Sequence, residues 1–519
     1  MAPALTNLSA DELGHVLRYL PDAVDIAKVA STCHAFKVAS LRAADARAAA
    51  SPVPLPRLIT TVHEVEPKLR ALRWAEEMGR RPPRTIACGW AHTLCVSPKD
   101  GVLYTFGGDG VPEEGSEFSM LGLGEIQRPV LMPQALPLER TRSMAGWYHV
   151  MAVDDSGSAW SWGYGDDGRH GLGDESHRFR PERLPSLSGI LQVSCGNGHS
   201  LLLTANGGVL VCGSVLGGLD HSQDRLNPSL RPSPVAGFAG RRVVEVSSGE
   251  SQCTAVDEEG GLWTWGYGGI GQLGHGDTEM RREPKKVQAL ASVRIRHALA
   301  ASDHTQAVSV TGVLYSWGHP CYNGLGQDDC TALPVRNPTL AGVPVRQLAG
   351  NFEGHCVALT EAGEVYTWGT GSYGALGHGD REDKPLPTLV TTLLPPLTSA
   401  QRLLIGEAGG KIEQLAPVIR KLRSQFAGPA VIARLHNLAA SCADVFEALG
   451  HINDGFGAGH LSSPVVEVAA GVCHTVARLA DGRIFTWGEG AHGALGHGNT
   501  ENQLAPKQID MGALLPPRA

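Results

Sequence analysis

Six histidines recur at matching places along the chain: His92, His149, His199, His304, His355 and His474, with Gln252 in a seventh slot between His199 and His304. Each closes a short line of the type Gly471-Val472-Cys473-His474. Imidazole is the side chain best suited to proton transfer near neutral pH and a common metal ligand, so both chemistries need weighing. The intervals from slot to slot are 57, 50, 53, 52, 51 and 119 residues. That is one histidine per structural unit, which spreads the rings apart, whereas a metal needs three or four ligands at one point. The expectation is a semi-buried imidazole that hydrogen-bonds within each unit, a role that Gln252 can fill and a proton shuttle cannot.

A second motif invites nucleotide chemistry. Gly163–Gly168, Gly266–Gly271, Gly369–Gly374 and Gly488–Gly493 all match G-x-G-x-x-G. A pyrophosphate site needs a helix N-terminus directly after the glycines, but the chain continues into further glycine turns such as Leu273-Gly274-His275-Gly276. Four copies point to a repeated turn that uses glycine for positive φ. Trp162, Trp265, Trp317, Trp368 and Trp487 recur at the same period, with Phe106 and Cys212 in the two remaining slots. They read as packing anchors. The expectation is therefore no catalytic residue, no cofactor and no metal.

The elements that carry these residues follow from composition and period. The 519 residues include 65 Gly and 33 Pro, with 42% hydrophobic residues, which describes a turn-rich chain with a core. A net charge of −8 argues against phosphate-driven nucleic-acid binding. No apolar run is long enough to span a bilayer, and the first residues lack the basic and apolar regions of a signal peptide. Eleven cysteines without CxxC pairing fit reduced thiols, hence cytoplasm or nucleus.

Both rulers return seven copies of about 51 residues, and the last interval leaves an insertion of about 68. Within a copy, Val243–Ser248 alternates, with Glu245 expected outward; Gly260-Gly261 is a hairpin turn before Leu262–Trp265; Pro284 marks an edge strand. Four strands repeated seven times predict a mainly-β, seven-bladed propeller, with copies one to six over 84–395 and copy seven over 464–511.

The lines Gly249–Thr254 and Trp265–Gly276 resemble regulator of chromosome condensation repeats, over residues 84–511 apart from the insertion. The resemblance implies a seven-bladed propeller. Copy three departs from it, with Cys212-Gly213-Ser214 in place of Trp-Gly-x-Gly, and copy one carries an acidic loop, Asp109 to Met120, with Glu113, Glu114 and Glu117. Trp90 and Trp147 stand in Gly-Trp-x-His lines similar to those of plant ultraviolet-B photoreceptors. Later copies hold Asn197, Glu250, Ser302, Asn351 and Val472 there, so a tryptophan cluster and light sensing are not expected. The family's founding member acts on a small nuclear GTPase, which makes nucleotide exchange an alternative function.

Two segments depart from the strand period. Leu13, Val16, Leu17 and Leu20 fall on one helical face behind the capping box Ser9–Glu12, Pro21 breaks that helix, and Ile26 begins the next apolar face. With Leu8, these residues resemble an F-box, although Leu8-Ser9 stands where that family has Leu-Pro. The resemblance implies that residues 1–50 form a three-helix unit that docks on a Skp-type adaptor within a cullin-RING (SCF-type) ubiquitin ligase. Residues 51–83 then read as a linker, opening with the semi-rigid Ser51–Arg57. The insertion, 396–463, repeats apolar residues at helical spacing (Ile412, Leu415, Ile419, Leu422, Phe426, then Ile432 to Leu449) about Gly428-Pro429, an expected helical hairpin. The function expected is a protein-interaction adaptor whose propeller binds a substrate protein. The alternatives are an exchange factor for a small GTPase and a plain propeller scaffold.

Overall fold

A computed structural model describes residues 83–393 and 463–510, apart from 99–100, 109–119, 125–128, 186, 215–228, 239 and 351–353. The F-box-like unit, the linker, the helical hairpin and most of the acidic loop of copy one lie outside the described residues.

Alternating apolar strands and glycine turns fold into seven four-stranded antiparallel sheets, each built from four strands consecutive in the chain. In blade four the order from the axis outward is Val243–Ser248, Gln252–Asp257, Leu262–Gly266 and Arg281–Lys286. The turn at Gly260-Gly261 forms where the sequence placed it, with Gly260 at φ +83°, and a Cβ there would lie 3.0 Å from Arg294. The outermost strand of every blade has proline at its fourth position: Pro133, Pro181, Pro232, Pro284, Pro334, Pro387 and Pro506. An edge strand tolerates the missing N–H, and the ring blocks further strands from pairing there.

Blade seven is also contiguous, from Val465 to Gln508, so no strand is exchanged between the ends of the ring. The apolar core is divided accordingly. Each buried cluster joins two neighbouring blades: Val357, Leu359 and Val365 pack against Val468, Ala477 and Trp487, and Ile86, Cys95 and Phe106 pack against Val476 and Ile484. Seven seams carry the burial that one core carries in an ordinary domain.

The first strands surround the axis, and here one expectation fails. Glu245 does not point outward; it is buried, because both faces of a first strand meet neighbouring blades. Two of the G-x-G-x-x-G lines end in three-residue 3₁₀ turns, Asp166–Gly168 and Ser372–Gly374, and the lines at 266–271 and 488–493 end in plain turns, so none offers a helix N-terminus for phosphate.

Candidate interaction face

The aligned histidines are more deeply placed than the sequence suggested, and they bond across seams rather than within blades. All six are fully buried. Nε2 of each, except His92, meets the residue that follows the same slot in the next blade: His149 to Ser200 Oγ at 2.5 Å, His199 to Cys253 Sγ at 3.2 Å, His304 to Cys356 Sγ at 3.0 Å, His355 to Thr475 Oγ1 at 2.9 Å and His474 to Thr93 Oγ1 at 2.9 Å. Gln252 fills the slot by donating Nε2–H to Thr305 Oγ1 at 3.3 Å. The hydroxyls of Thr93, Ser200 and Thr475 donate their single proton to Ala494 O, Arg169 O and Ala375 O, so the facing imidazoles must donate through Nε2–H. Burial pushes His199, His304 and His474 down to about 3 and His92 and His355 to about 4, with His149 also lowered. The rings are neutral at physiological pH and sealed from any substrate.

A second set of histidines makes the bond within the blade. His275, His378 and His497 place Nε2 at 3.0, 2.9 and 3.0 Å from Thr264, Thr367 and Thr486. Trp162, Trp317, Trp368 and Trp487 are buried and donate Nε1–H to a carbonyl of the preceding blade, Met120, Gln272, Tyr322 and Ala375, at 2.8 to 3.1 Å. Trp265 lies edge-on to Phe238. In degenerate blade three, Cys212 takes the tryptophan's place and its Sγ donates to Arg169 O at 3.4 Å. Among the described residues, no three of His, Cys, Asp and Glu converge as a metal site. Leu8, Leu13, Val16, Leu17, Leu20, Pro21 and Ile26 lie outside the described residues.

The axial cavity, about 130 Å³, is lined by Gly89, Gly146, Ser194, Ser247, His297 and Gln347 among others. Polar groups on and beside its wall serve the ring itself. Gln192 and Gln347 clamp the backbone of Val246 and Val468 in the next blades, and Glu467 accepts Thr85 N–H at 2.7 Å and Ile86 N–H at 3.2 Å. Glu245 meets His297 Nδ1 at 2.5 Å, and Arg84 reaches it from three blades away at 3.6 Å.

A cluster of half-buried aromatic and acidic side chains lies at one end of the propeller. The connections between first and second strands and between third and fourth strands emerge together there, because the strands are antiparallel. Trp90 stacks on Tyr148 (centroids 5.0 Å apart, 20° between planes), Tyr164 stands edge-on to Tyr148 at 6.1 Å, and His177 edge-on to Tyr164 at 5.0 Å. All four are half-buried. Further round the mouth stand Asn197, Glu250 and Asp303. Burial raises both carboxyls above their usual range. Beneath Tyr148, the largely buried Arg169 pairs with Asp167 at 3.4 Å. Sequence reasoning named Trp90, Asn197 and Glu250 only in arguing against a tryptophan cluster, and it did not identify Tyr148, Tyr164, His177, Asp303 or Arg169 as site residues. Their signal was available: they occupy the variable positions within otherwise regular motif lines, which is where a repeat scaffold can carry function.

Comparisons with known proteins fit this architecture. The RCC1-like domain model matches residues 84–412, and models of the regulator of chromosome condensation (RCC1) repeat match 465–494 and 481–513. The chain is 31% identical over 381 residues to the ultraviolet-B receptor UVR8 of Arabidopsis thaliana, covering 70% of this chain and 80% of that one. It is 27% identical over 394 residues to the E3 ubiquitin-protein ligase HERC2 of Homo sapiens, covering 74% of this chain but 7% of that much longer protein. Among solved structures, Prp20p from Saccharomyces cerevisiae matches with 21% identity and a TM-score of 0.57, over 81% of this chain and 88% of that one. Human WBSCR16 matches with 23% identity and a TM-score of 0.55, over 78% and 89%. With seven contiguous blades and a family match across more than half its length, the chain belongs to the RCC1-like domain family.

Proposed function

We propose that the chain is a protein-interaction adaptor without catalytic residues of its own. Its propeller presents the end carrying Trp90, Tyr148, Glu250 and Asp303 to a partner protein. The observation that carries this reading is the division of labour among polar groups: the repeated histidines are neutral and buried in seams, while half-buried aromatic and acidic side chains gather at one open end. Interfaces are enriched in such aromatic anchors. In the finer form of the proposal, residues 1–50 engage a Skp-type adaptor through Leu13, Val16, Leu17 and Leu20, and residues 51–83 tether that head to the propeller. A substrate held on the propeller then meets the conjugating enzyme at high effective concentration. HERC2 is itself named a ubiquitin ligase, and the cysteines among the described residues are all free, as suits cytoplasm or nucleus.

The test is calorimetry of the full-length protein with a Skp-type adaptor, beside Leu17→Asp. Micromolar binding abolished by the variant is expected; no binding by folded wild-type protein overturns the ligase form. A second reading, regulation of a small GTPase, draws on Prp20p, a protein described with its binding properties to Gsp1p and histones. Accelerated nucleotide release from a small GTPase would favour that reading.

A further inference from the structure

We propose that the aromatic strip at the open end is occupied, in the free protein, by a segment of this chain: Pro52-Val53-Pro54-Leu55-Pro56-Arg57. The proposal rests on the reading of that end as the binding face, and it makes the segment an internal competitor that a partner must displace.

The strip has the form that proline-rich chains recognise. Trp90, Tyr148, Tyr164 and His177 follow one another at centroid spacings of 5.0, 6.1 and 5.0 Å, stacked and then edge-on. Alternating prolines hold a chain in the polyproline II conformation at about 3.1 Å per residue, and such segments dock on aromatic grooves at little entropic cost. Charge fits as well. Backbone hydrogen bonds run from one first-to-second-strand connection to the next, Trp90 N–H to Trp147 O at 3.2 Å, then Asn197 N–H to Glu250 O at 3.4 Å and Glu250 N–H to Ala301 O at 3.3 Å. Round the mouth, the aromatic residues thus give way to two carboxylates. Glu250 accepts Ser302 Oγ–H at 3.0 Å, and among the described residues neither it nor Asp303 forms an ion pair. Arg57, at the end of the proline run, supplies the missing cation.

The reach is sufficient. The chain enters the first strand at the end of the propeller opposite the strip, and residues 58–82 connect Arg57 to that point. At up to about 3.3 Å per residue they extend several times the roughly 20 Å depth of a six-residue strand.

Photo-cross-linking of the full-length protein tests this directly. With Leu55→p-benzoylphenylalanine, irradiation is expected to join residue 55 to peptides containing Trp90, Tyr148 or Tyr164 of the same chain, with a yield unchanged on tenfold dilution. The additional substitution Arg57→Glu, or excess synthetic peptide of residues 50–60, should lower that yield at least fivefold. Cross-links to other parts of the propeller, none to the propeller, or links between two chains that fade on dilution would each overturn the proposal. Adaptor binding measured on the same Leu55 variant reports separately on the head, so the two readings can fail independently.

Discussion

His474 on blade seven places Nε2 2.9 Å from Thr93 Oγ1 on blade one, across the one seam that the covalent chain does not cross. The hydroxyl donates a hydrogen bond to Ala494 O at 2.8 Å, so the threonine joins two elements of blade seven to blade one. Thr93→Val keeps the shape and removes both bonds. It leaves a buried imidazole donor unpaired, a cost of about 1–3 kcal/mol for the orphaned group. The urea midpoint of the full-length protein is expected to fall accordingly.

The seam from blade one to blade two already lacks this bond. Val150 stands where the other blades have Thr93, Ser200, Cys253, Thr305, Cys356 and Thr475, and both ring nitrogens of His92 are buried without a partner. The carbonyl needed to complete the chain is present: Met120 O accepts Trp162 Nε1–H at 3.0 Å, and the equivalent Gln272 O accepts from both Trp317 and Thr305. Val150→Thr should therefore stabilise the protein by about 1 kcal/mol, the usual net worth of a hydrogen bond. A lower unfolding midpoint would show that His92 is satisfied in some other way.

These seam contacts also mark how far the sequence could be read. The period of 51 residues made seven blades legible, and the prolines made the outer strands legible, because both features repeat in register with the fold. The bond from each histidine was not legible, since it joins a residue to the next copy of the repeat rather than to its own. Its partners share only a polarisable O or S atom, not a residue type. Glu245 misled for a related reason. Alternation assigns polar residues to solvent, yet a strand beside the axis has neighbouring blades on both faces. The aromatic strip was legible only in part, because Tyr148, Tyr164 and His177 occupy positions that vary from copy to copy and carry no periodic signal.

Glu467 closes the ring near the axis. Its carboxylate accepts Thr85 N–H, Thr85 Oγ1–H, Ile86 N–H and Arg478 Nε–H while almost fully buried. Blades three and six use Gln192 and Gln347 for the same clamp on the next blade's backbone. Two substitutions should therefore separate cleanly. Glu467→Gln keeps the oxygen that accepts Thr85 N–H and Ile86 N–H, gives up only the Arg478 bond and should cost about 1–2 kcal/mol, whereas Glu467→Ala also strands the two backbone donors and should cost about 3–5 kcal/mol. Urea unfolding of the two variants checks the order; equal losses would refute a clamp specific to hydrogen bonding.

The neutral histidines set the response to acid. Each has a folded pKa below its unfolded value of about 6.5, so as pH falls the unfolded chain binds protons first. The stability they confer is complete above about pH 6.5 and is lost progressively toward the folded values near 3 for His199, His304 and His474 and near 4 for His92 and His355. Within that window each imidazole contributes a slope of about 1.4 kcal/mol per pH unit. Several act together, so unfolding free energy should be flat from pH 7 to 8 and drop steeply below pH 6. His304→Gln tests the assignment, because Gln252 shows that glutamine can occupy this slot and bond across a seam. The variant should unfold with a slope shallower by about one proton between pH 4.5 and 6. An unchanged slope would mean that the imidazole at position 304 does not titrate on unfolding.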